Sequence, residues 1–395
     1  SSLFVNKASK NIRERFFTEW GLEESCSFIN RLSLFEIASY IEFSLLVGSA
    51  GGASKTPRFV HALVDPNTLD VVSRNIEVKD VSKIGSGPKP IELNLKMIKS
   101  YFSKDNLSIP GITDPRQLEI AEALHRASGP VTYLDQIAGV VVRVGIDQSA
   151  GPKKGLSQYT EKIPAHELPK WADVLKGKVG KWVPLAKGRD FNIFQFTLGQ
   201  TSSEDGPEQY ALRSELEKIG INLNRPTLVW RRVSQVLNQR TLIATLMPAG
   251  FWAENTAWCV QSEDVEILYK IQCMLGSIVS DILMKVKGSS EMTFSEVSSI
   301  PIPLYDSEAF TEALRLCKIS LQNGEMKESL RSKIDALMWI HIGNLRSPLD
   351  RQGLAWILEN KFECLNKQNP YYATDILKEV ESYSNLIQKN NRRLA

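Results

Sequence analysis

Two runs rich in β-branched and aromatic residues, Thr227-Leu228-Val229-Trp230 and Thr241-Leu242-Ile243-Ala244-Thr245-Leu246, flank a polar segment. Short apolar runs of this kind on either side of polar residues predict two strands joined as a hairpin. Such a pair must bury its apolar side chains against other elements, which commits the middle of the chain to a β-rich domain. Residues 225–250 also hold four arginines (Arg225, Arg231, Arg232, Arg240), together with Ser234, Gln235, Asn238 and Gln239, and no Asp or Glu. Cations with no local acid raise the question of where their partners lie.

Elsewhere the charge is close to balanced. The 395 residues carry 48 Lys/Arg and 45 Asp/Glu, a net charge of +3. Residues 148–189 hold nine Lys/Arg against three acids, a balance of +6, and residues 225–250 add +4, so the rest of the chain sums to −7. A near-neutral protein with one strongly basic region fits a local polyanion footprint, and arginines interleaved with amides favour nucleic acid over a solvated lysine face.

The composition, 43% hydrophobic and 24% charged, is that of a soluble globular protein long enough for two or three domains. No apolar run approaches the roughly 18–20 residues of a membrane span. The N-terminus has no secretory apolar core, so no membrane association and a cytoplasmic location are expected. It also lacks an initiator Met, as a fragment or a processed chain would. Five cysteines (Cys26, Cys259, Cys273, Cys317, Cys364) form no C-x-x-C pair and read as reduced thiols packed in cores. Four scattered histidines (His61, His125, His166, His341) make no metal motif.

Along the chain, 9–20 reads as a short helix, and 26–30 and 40–48 as buried strands, the second almost wholly apolar. The loop 48–57 imitates a phosphate-binding loop, but Ser49 and Ser54 stand where the motif needs glycine. A helix is expected over 114–127, opened by Asp114 and Pro115, with short strands over 131–205 and a helix over 207–220 closed by Gly220. Leu268, Ile271, Leu275, Ile278, Ile282 and Val286 predict one long amphipathic helix over about 263–287. Three or four helices follow from about 307. Asn369-Pro370-Tyr371-Tyr372 lies in this tail, and its proline reads as the first residue of a helix.

Several of these segments resemble one family. Leu134, Ile137, Ala138, Gly145, Ile146 and Gly151 match the opening of target recognition domains in restriction–modification specificity proteins, and 183–196 resembles a second segment of those domains. Arg232, Asn238, Arg240, Thr241 to Ala244 and Pro248 match their strand pair. The helix at 263–287 with 292–303 resembles the end of the TaqI-type specificity domain, and 331–343 and 353–362 its helical tail. The N-terminal stretch is similar to the last strands of a type IIG adenine-specific DNA methyltransferase.

The resemblance implies a mixed α/β (α+β) chain. Residues 1–60 would be the tail of a methyltransferase-like α/β domain, 61–130 a connector, 131–305 a target recognition domain and 306–395 a helical region. It implies a sequence-specific DNA recognition module of a restriction–modification or phage-defence system, with double-stranded DNA as partner. The S-adenosylmethionine turn and the Asn/Asp-Pro-Pro-Tyr/Phe motif of such methyltransferases are not in this sequence. The chain is therefore expected to hold no cofactor and to methylate nothing by itself. A methyltransferase core, upstream or in another subunit, would bind S-adenosylmethionine.

Phosphate contacts give affinity and base-edge contacts give specificity. Lys153, Lys154, Lys176, Lys178, Lys181, Lys187 and Arg189 suit the first role. Arg231, Arg232, Gln235, Asn238 and Arg240 suit the second, because Arg can grip guanine and Asn or Gln adenine with paired hydrogen bonds. Asn238 and Arg240 could instead brace the fold or grip backbone. Two alternatives stay open: a specificity or scaffold subunit that reaches DNA through partner proteins, and a metal-dependent nuclease using Asp70, Glu77 and Lys79.

Overall fold

The computed structural model describes residues 4, 7–29, 36, 42–53, 56–63, 90–102, 107, 109–112, 118, 121–122, 125, 131–174, 176, 178, 180–196, 207–234, 240–287, 291–323, 326–343, 378 and 382. Asp70, Glu77, Lys79, Asp114, Pro115 and residues 369–372 lie outside them. The fold is mixed α/β, and the chain divides into two compact units, Ser1–Arg126 with Lys285–Ser289 and Ala127–Met284 with Ser290–Ala395.

In the first unit, helix α1 (Lys10–Thr18) ends before Gly21, whose φ of +50° suits a residue without Cβ. Strands β1 (Leu22–Ile29), β2 (Glu42–Gly48), β3 (Arg58–Leu63) and β4 (Ile91–Glu92) form a mixed sheet in the order β2-β1-β3-β4. β1 runs antiparallel to β2 and parallel to β3. Phe16 and Phe17 on α1 are buried, and Phe17 lies 6.4 Å from the fully buried Phe59 of β3. Arg13 is buried beside them, with its Nε donating to the Leu107 carbonyl at 2.9 Å. β2 departs from the expectation of a buried strand: Leu45, Leu46 and Val47 are all exposed. It is the edge strand of its sheet, and these three side chains find no cover among the described residues. Residues 118, 121, 122 and 125 of the predicted 114–127 helix are helical.

The second unit is built on two four-stranded sheets. One has the order β13-β12-β15-β6, from β6 (Val140–Val144), β12 (Thr227–Arg231), β13 (Ala244–Met247) and β15 (Ala257–Ser262). The other has the order β14-β8-β11-β7, from β7 (Ser157–Tyr159), β8 (Trp182–Ala186), β11 (Gln209–Leu212) and β14 (Trp252–Ala253). The antiparallel β12–β13 pair is the predicted hairpin, with Thr227 opposite Met247 and Trp230 opposite Ala244. Its two strands are almost wholly buried. A short ribbon, β9 (Phe191–Asn192) with β10 (Gln195–Phe196), leads from the end of β8. β5 (Val131–Thr132) pairs with β16 (Ile302–Pro303), so residues 131 and 303 meet.

Residues 207–220 differ from the expected single helix. Residues 209–212 are strand β11, and α2 (Arg213–Lys218) occupies the rest, closed by Gly220 at φ +80°. Tyr210 and Ala211 are buried where β11 pairs with both β7 and β8, so tertiary pairing overrides local propensity.

The long helix expected over 263–287 is also corrected. It is two helices, α3 (Val265–Leu275) and α4 (Ile278–Lys287), bent by 61° between Val265–Leu275 and Ile278–Met284. Asp264 caps α3 through the Glu266 N–H at 2.8 Å. Gly276 marks the break, because a Cβ there would lie 2.5 Å from two ring carbons of the fully buried Phe194. Across the break, the Ile278 N–H donates to Asp335 Oδ1 at 2.6 Å rather than back into α3. Gly276→Ala is expected to cost about 1–3 kcal/mol through overpacking, read as a lower urea midpoint. An unchanged midpoint would mean that the Phe194 ring gives way freely.

After α5 (Phe294–Ser298) and β16, helices α6 (Glu308–Asn323) and α7 (Glu328–Gly343) pack on each other and on α3. Cys26, Cys259, Cys273 and Cys317 are buried free thiols, and Cys364 lies outside the described residues. Among the described residues no single helix is long and apolar enough to cross a membrane.

Candidate nucleic-acid interface

The strand ends of the second unit bring two parts of the basic sequence to one turn. β8 leads into Lys187, Gly188 and Arg189, and the Gly188 N–H donates to Thr256 Oγ1 at 3.0 Å. β12 leads into Arg231 and Arg232, and the Arg232 N–H donates to the Thr256 carbonyl at 2.9 Å. Thr256 thus holds both backbones, and the Arg231 side chain lies along Gly188. The neighbouring Asn255 donates to Asp147 Oδ2 at 3.0 Å. Asp147 Oδ1 in turn accepts from the N–H groups of Ser149 and Ala150, which start the short helical turn Ala150–Lys153. These bonds hold the exposed Asp147 carboxyl below its ordinary pKa, the Ala150 N–H having the largest influence. Lys153 and Lys154 are exposed at the end of that turn.

Two motif glycines have a steric cause. A Cβ on Gly145 would fall 2.0 Å from the Glu254 carbonyl oxygen, and one on Gly151 would meet Ser157 Oγ at 2.5 Å. Both mark close approaches within the frame that carries Asp147. Ile146 lies between them and forms a parallel bridge with Glu254.

The cations differ in how free they are. Lys187 and Arg189 share Glu208: Lys187 Nζ bonds Oε2, and Arg189 bonds Oε1 at 2.8 Å. Lys181 pairs with Glu167 at 2.7 Å and Lys178 with Asp173 at 3.0 Å. Arg231 donates to the Phe191 carbonyl and lies over the Phe191 ring, with its guanidinium 5.8 Å from the centroid. Arg232 is half-buried. Gln235 and Asn238 lie outside the described residues.

Arg240 has an acidic partner from outside residues 225–250, which fits the bracing role left open for it rather than base reading. It is 2% exposed and bonds the carboxylate of Asp335 on α7, which is also fully buried. Nearby, Asp281 Oδ1 on α4 accepts from the Thr241 and Leu242 N–H groups at 2.6 and 3.1 Å. Those two bonds explain why β13 starts at Ala244 rather than at Thr241. In this structure Arg240 braces the hairpin and offers no donor at the surface. On the other side of the turn, the Met292 N–H donates to the Arg232 carbonyl at 2.7 Å, and Trp230 Nε1 donates to the Met292 carbonyl at 2.8 Å.

Sequence reasoning did not single out Asp147, Glu208, Glu254, Thr256, Asp281 or Asp335. Glu254 is fully buried, with neither carboxylate oxygen in a hydrogen bond of normal geometry. Burial is the main cause that pushes its carboxyl up to about 7, and Lys187 and the Gln148 amide partly oppose it. No periodicity or motif flags such a residue. Among the described residues, no group of His, Cys, Asp and Glu is arranged to hold a metal ion.

No protein-family model and no curated protein matches the chain. Among solved structures it is similar to the type IIG restriction endonuclease BpuSI, at 13% identity and a TM-score of 0.37, over 94% of this chain and 47% of that one. It is also similar to the type IIL restriction–modification enzyme MmeI in complex with DNA, at 8% identity and a TM-score of 0.35, over 93% and 46%. The chain thus spans about half the length of these structures.

Proposed function

We propose that the second unit is a sequence-specific reader of double-stranded DNA that positions an adenine-specific methyltransferase of a restriction–modification or phage-defence system, in the cytoplasm. The observation that carries the reading is that the backbone segments bearing Lys187, Arg189, Arg231 and Arg232 meet at Thr256. Four cations from two distant stretches, fixed by backbone hydrogen bonds, make a preorganised footprint for a polyanion. Lys153 and Lys154 extend the set of candidate phosphate contacts, and Arg232, with Gln235 and Asn238 that follow it in sequence, would read bases. Arg240 leaves the candidate contacts and becomes a brace for that turn. The methyltransferase served would hold S-adenosylmethionine and the reacting adenine in residues outside this sequence.

The reading is tested by binding the chain to a pool of random duplexes at two salt concentrations. Binding is expected to weaken steeply with salt and to enrich one sequence motif. Arg189→Ala should lower the salt slope by about 1 and leave the motif unchanged, whereas Arg232→Ala should blur one position of the motif. Binding that is absent, or that ignores salt, would sink the proposal.

A further inference from the structure

Glu208 stands between two cations of this footprint, the largely buried Lys187 and the exposed Arg189. Its carboxylate takes Lys187 on one oxygen and Arg189 on the other. One negative charge spread over two oxygens, each gripped by a different cation, is also what a phosphodiester presents to a protein. We propose that Glu208 is an internal stand-in for a DNA phosphate, occupying the Lys187–Arg189 clamp until the backbone displaces it. The proposal rests on the DNA-binding reading above.

The backbone that carries the two cations is held in place. The Lys187 side chain is 15% exposed, and its backbone N–H is fixed by Asp190 Oδ2 at 2.6 Å. Gly188 is tied to Thr256, and the Arg189 side chain, 70% exposed, is paired with Glu208 at 2.8 Å and lies 3.9 Å from Asp190. The Glu208 side chain is 51% exposed, against 15% for Lys187, so the carboxylate can leave Lys187 for solvent. The Glu208 backbone stays in place, because its carbonyl accepts the Thr160 N–H at 2.9 Å. The Arg189–Glu208 pair is exposed on both sides and adds little to folding stability, so exchanging that contact for a phosphate costs the fold little. The same small magnitude means that the pair is not needed to hold β8 and β11 together, since those strands are already paired through the backbone. Leaving Glu208 in place also has a use. It sets a threshold that a single stray anion must overcome, while a duplex, with a regular row of phosphates, exceeds it easily.

The experiment compares duplex binding by the full chain and by Glu208→Gln, which removes the charge and keeps the shape. Glu217→Gln is the control. It removes the same charge from the exposed pair with Arg213 on α2. Glu208→Gln is expected to tighten binding about two- to fivefold, the range of an exposed ion pair's worth, with no change in Tm. Adding Arg189→Ala should remove that gain, and Glu217→Gln should give no comparable gain. If the wild type binds and Glu208→Gln binds no tighter, or if Glu217→Gln tightens binding equally, the stand-in role is overturned and the DNA-binding reading survives. If neither wild type nor Glu208→Gln binds duplex at any salt, both fall.

Discussion

Asp335→Ala is expected to destabilise the second unit by about 3–5 kcal/mol, the usual cost of leaving one partner of a buried ion pair without the other. Asp335 is fully buried and does two jobs: one oxygen bonds the Arg240 guanidinium, and the other caps Ile278 at the start of α4. The alanine variant strands a cation that is 2% exposed and uncaps a helix. Urea unfolding followed by tryptophan fluorescence would read the loss as a lower midpoint. A Leu at 335 combined with Met at 240 removes both charges and should recover much of it, because a well-packed apolar pair often matches a buried ion pair. A loss below about 1 kcal/mol in the single variant would mean that Arg240 has an easy route to solvent.

Glu254→Gln should act in the opposite direction, and only above acidic pH. The folded-state carboxyl is raised from its ordinary 4.5 to about 7, chiefly by burial. Asp190 and Glu208 push it the same way, while Lys187 and the Gln148 amide oppose it. A raised acid pKa means that the folded protein holds this proton more tightly than the unfolded chain. Stability therefore falls as pH rises from the unfolded value through the folded one, and the penalty is complete above about 7. A shift of this size corresponds to about 3 kcal/mol. Glu254→Gln should match the wild type near pH 4.5 and exceed it by up to about 3 kcal/mol at pH 8. Stability curves that run parallel from pH 4.5 to 8 would show that the carboxyl titrates normally.

These two residues mark where the sequence stops being legible. The β12–β13 hairpin could be read because its apolar residues are contiguous and its periodicity local. The break between α3 and α4 could not, because the helical spacing of Leu268, Ile271, Leu275 and Ile278 runs straight through it. What bends the chain there is a ring 82 residues away, Phe194 against Gly276, and a carboxylate on a later helix. Arg240 looked unpaired for a similar reason, since Asp335 is 95 residues away in sequence. In the 148–189 run Lys178 and Lys181 pair with acids of the run and Lys187 and Arg189 with Glu208 beyond it, pairings that a net charge does not reveal. β2 shows the converse, an apolar strand that lies exposed at the edge of its sheet. Periodicity reports which residues could be buried, and pairing across the fold decides which of them are.

The hairpin is fastened on both flanks by groups outside it. Before the turn, Trp230 and Arg232 bond to Met292; after it, Arg240, Thr241 and Leu242 bond to Asp335 and Asp281. With these clamps on the described residues either side, β12 and β13 are expected to keep their register when 235–239 is replaced or lengthened, read as an unchanged Tm. Closure entropy rises slowly with length, about 0.6 kcal/mol per doubling, so insertions between the clamps are cheap. In engineering terms the mounting of the hairpin is separate from the segment between its strands, because the bonds that hold it are all made by residues outside 235–239.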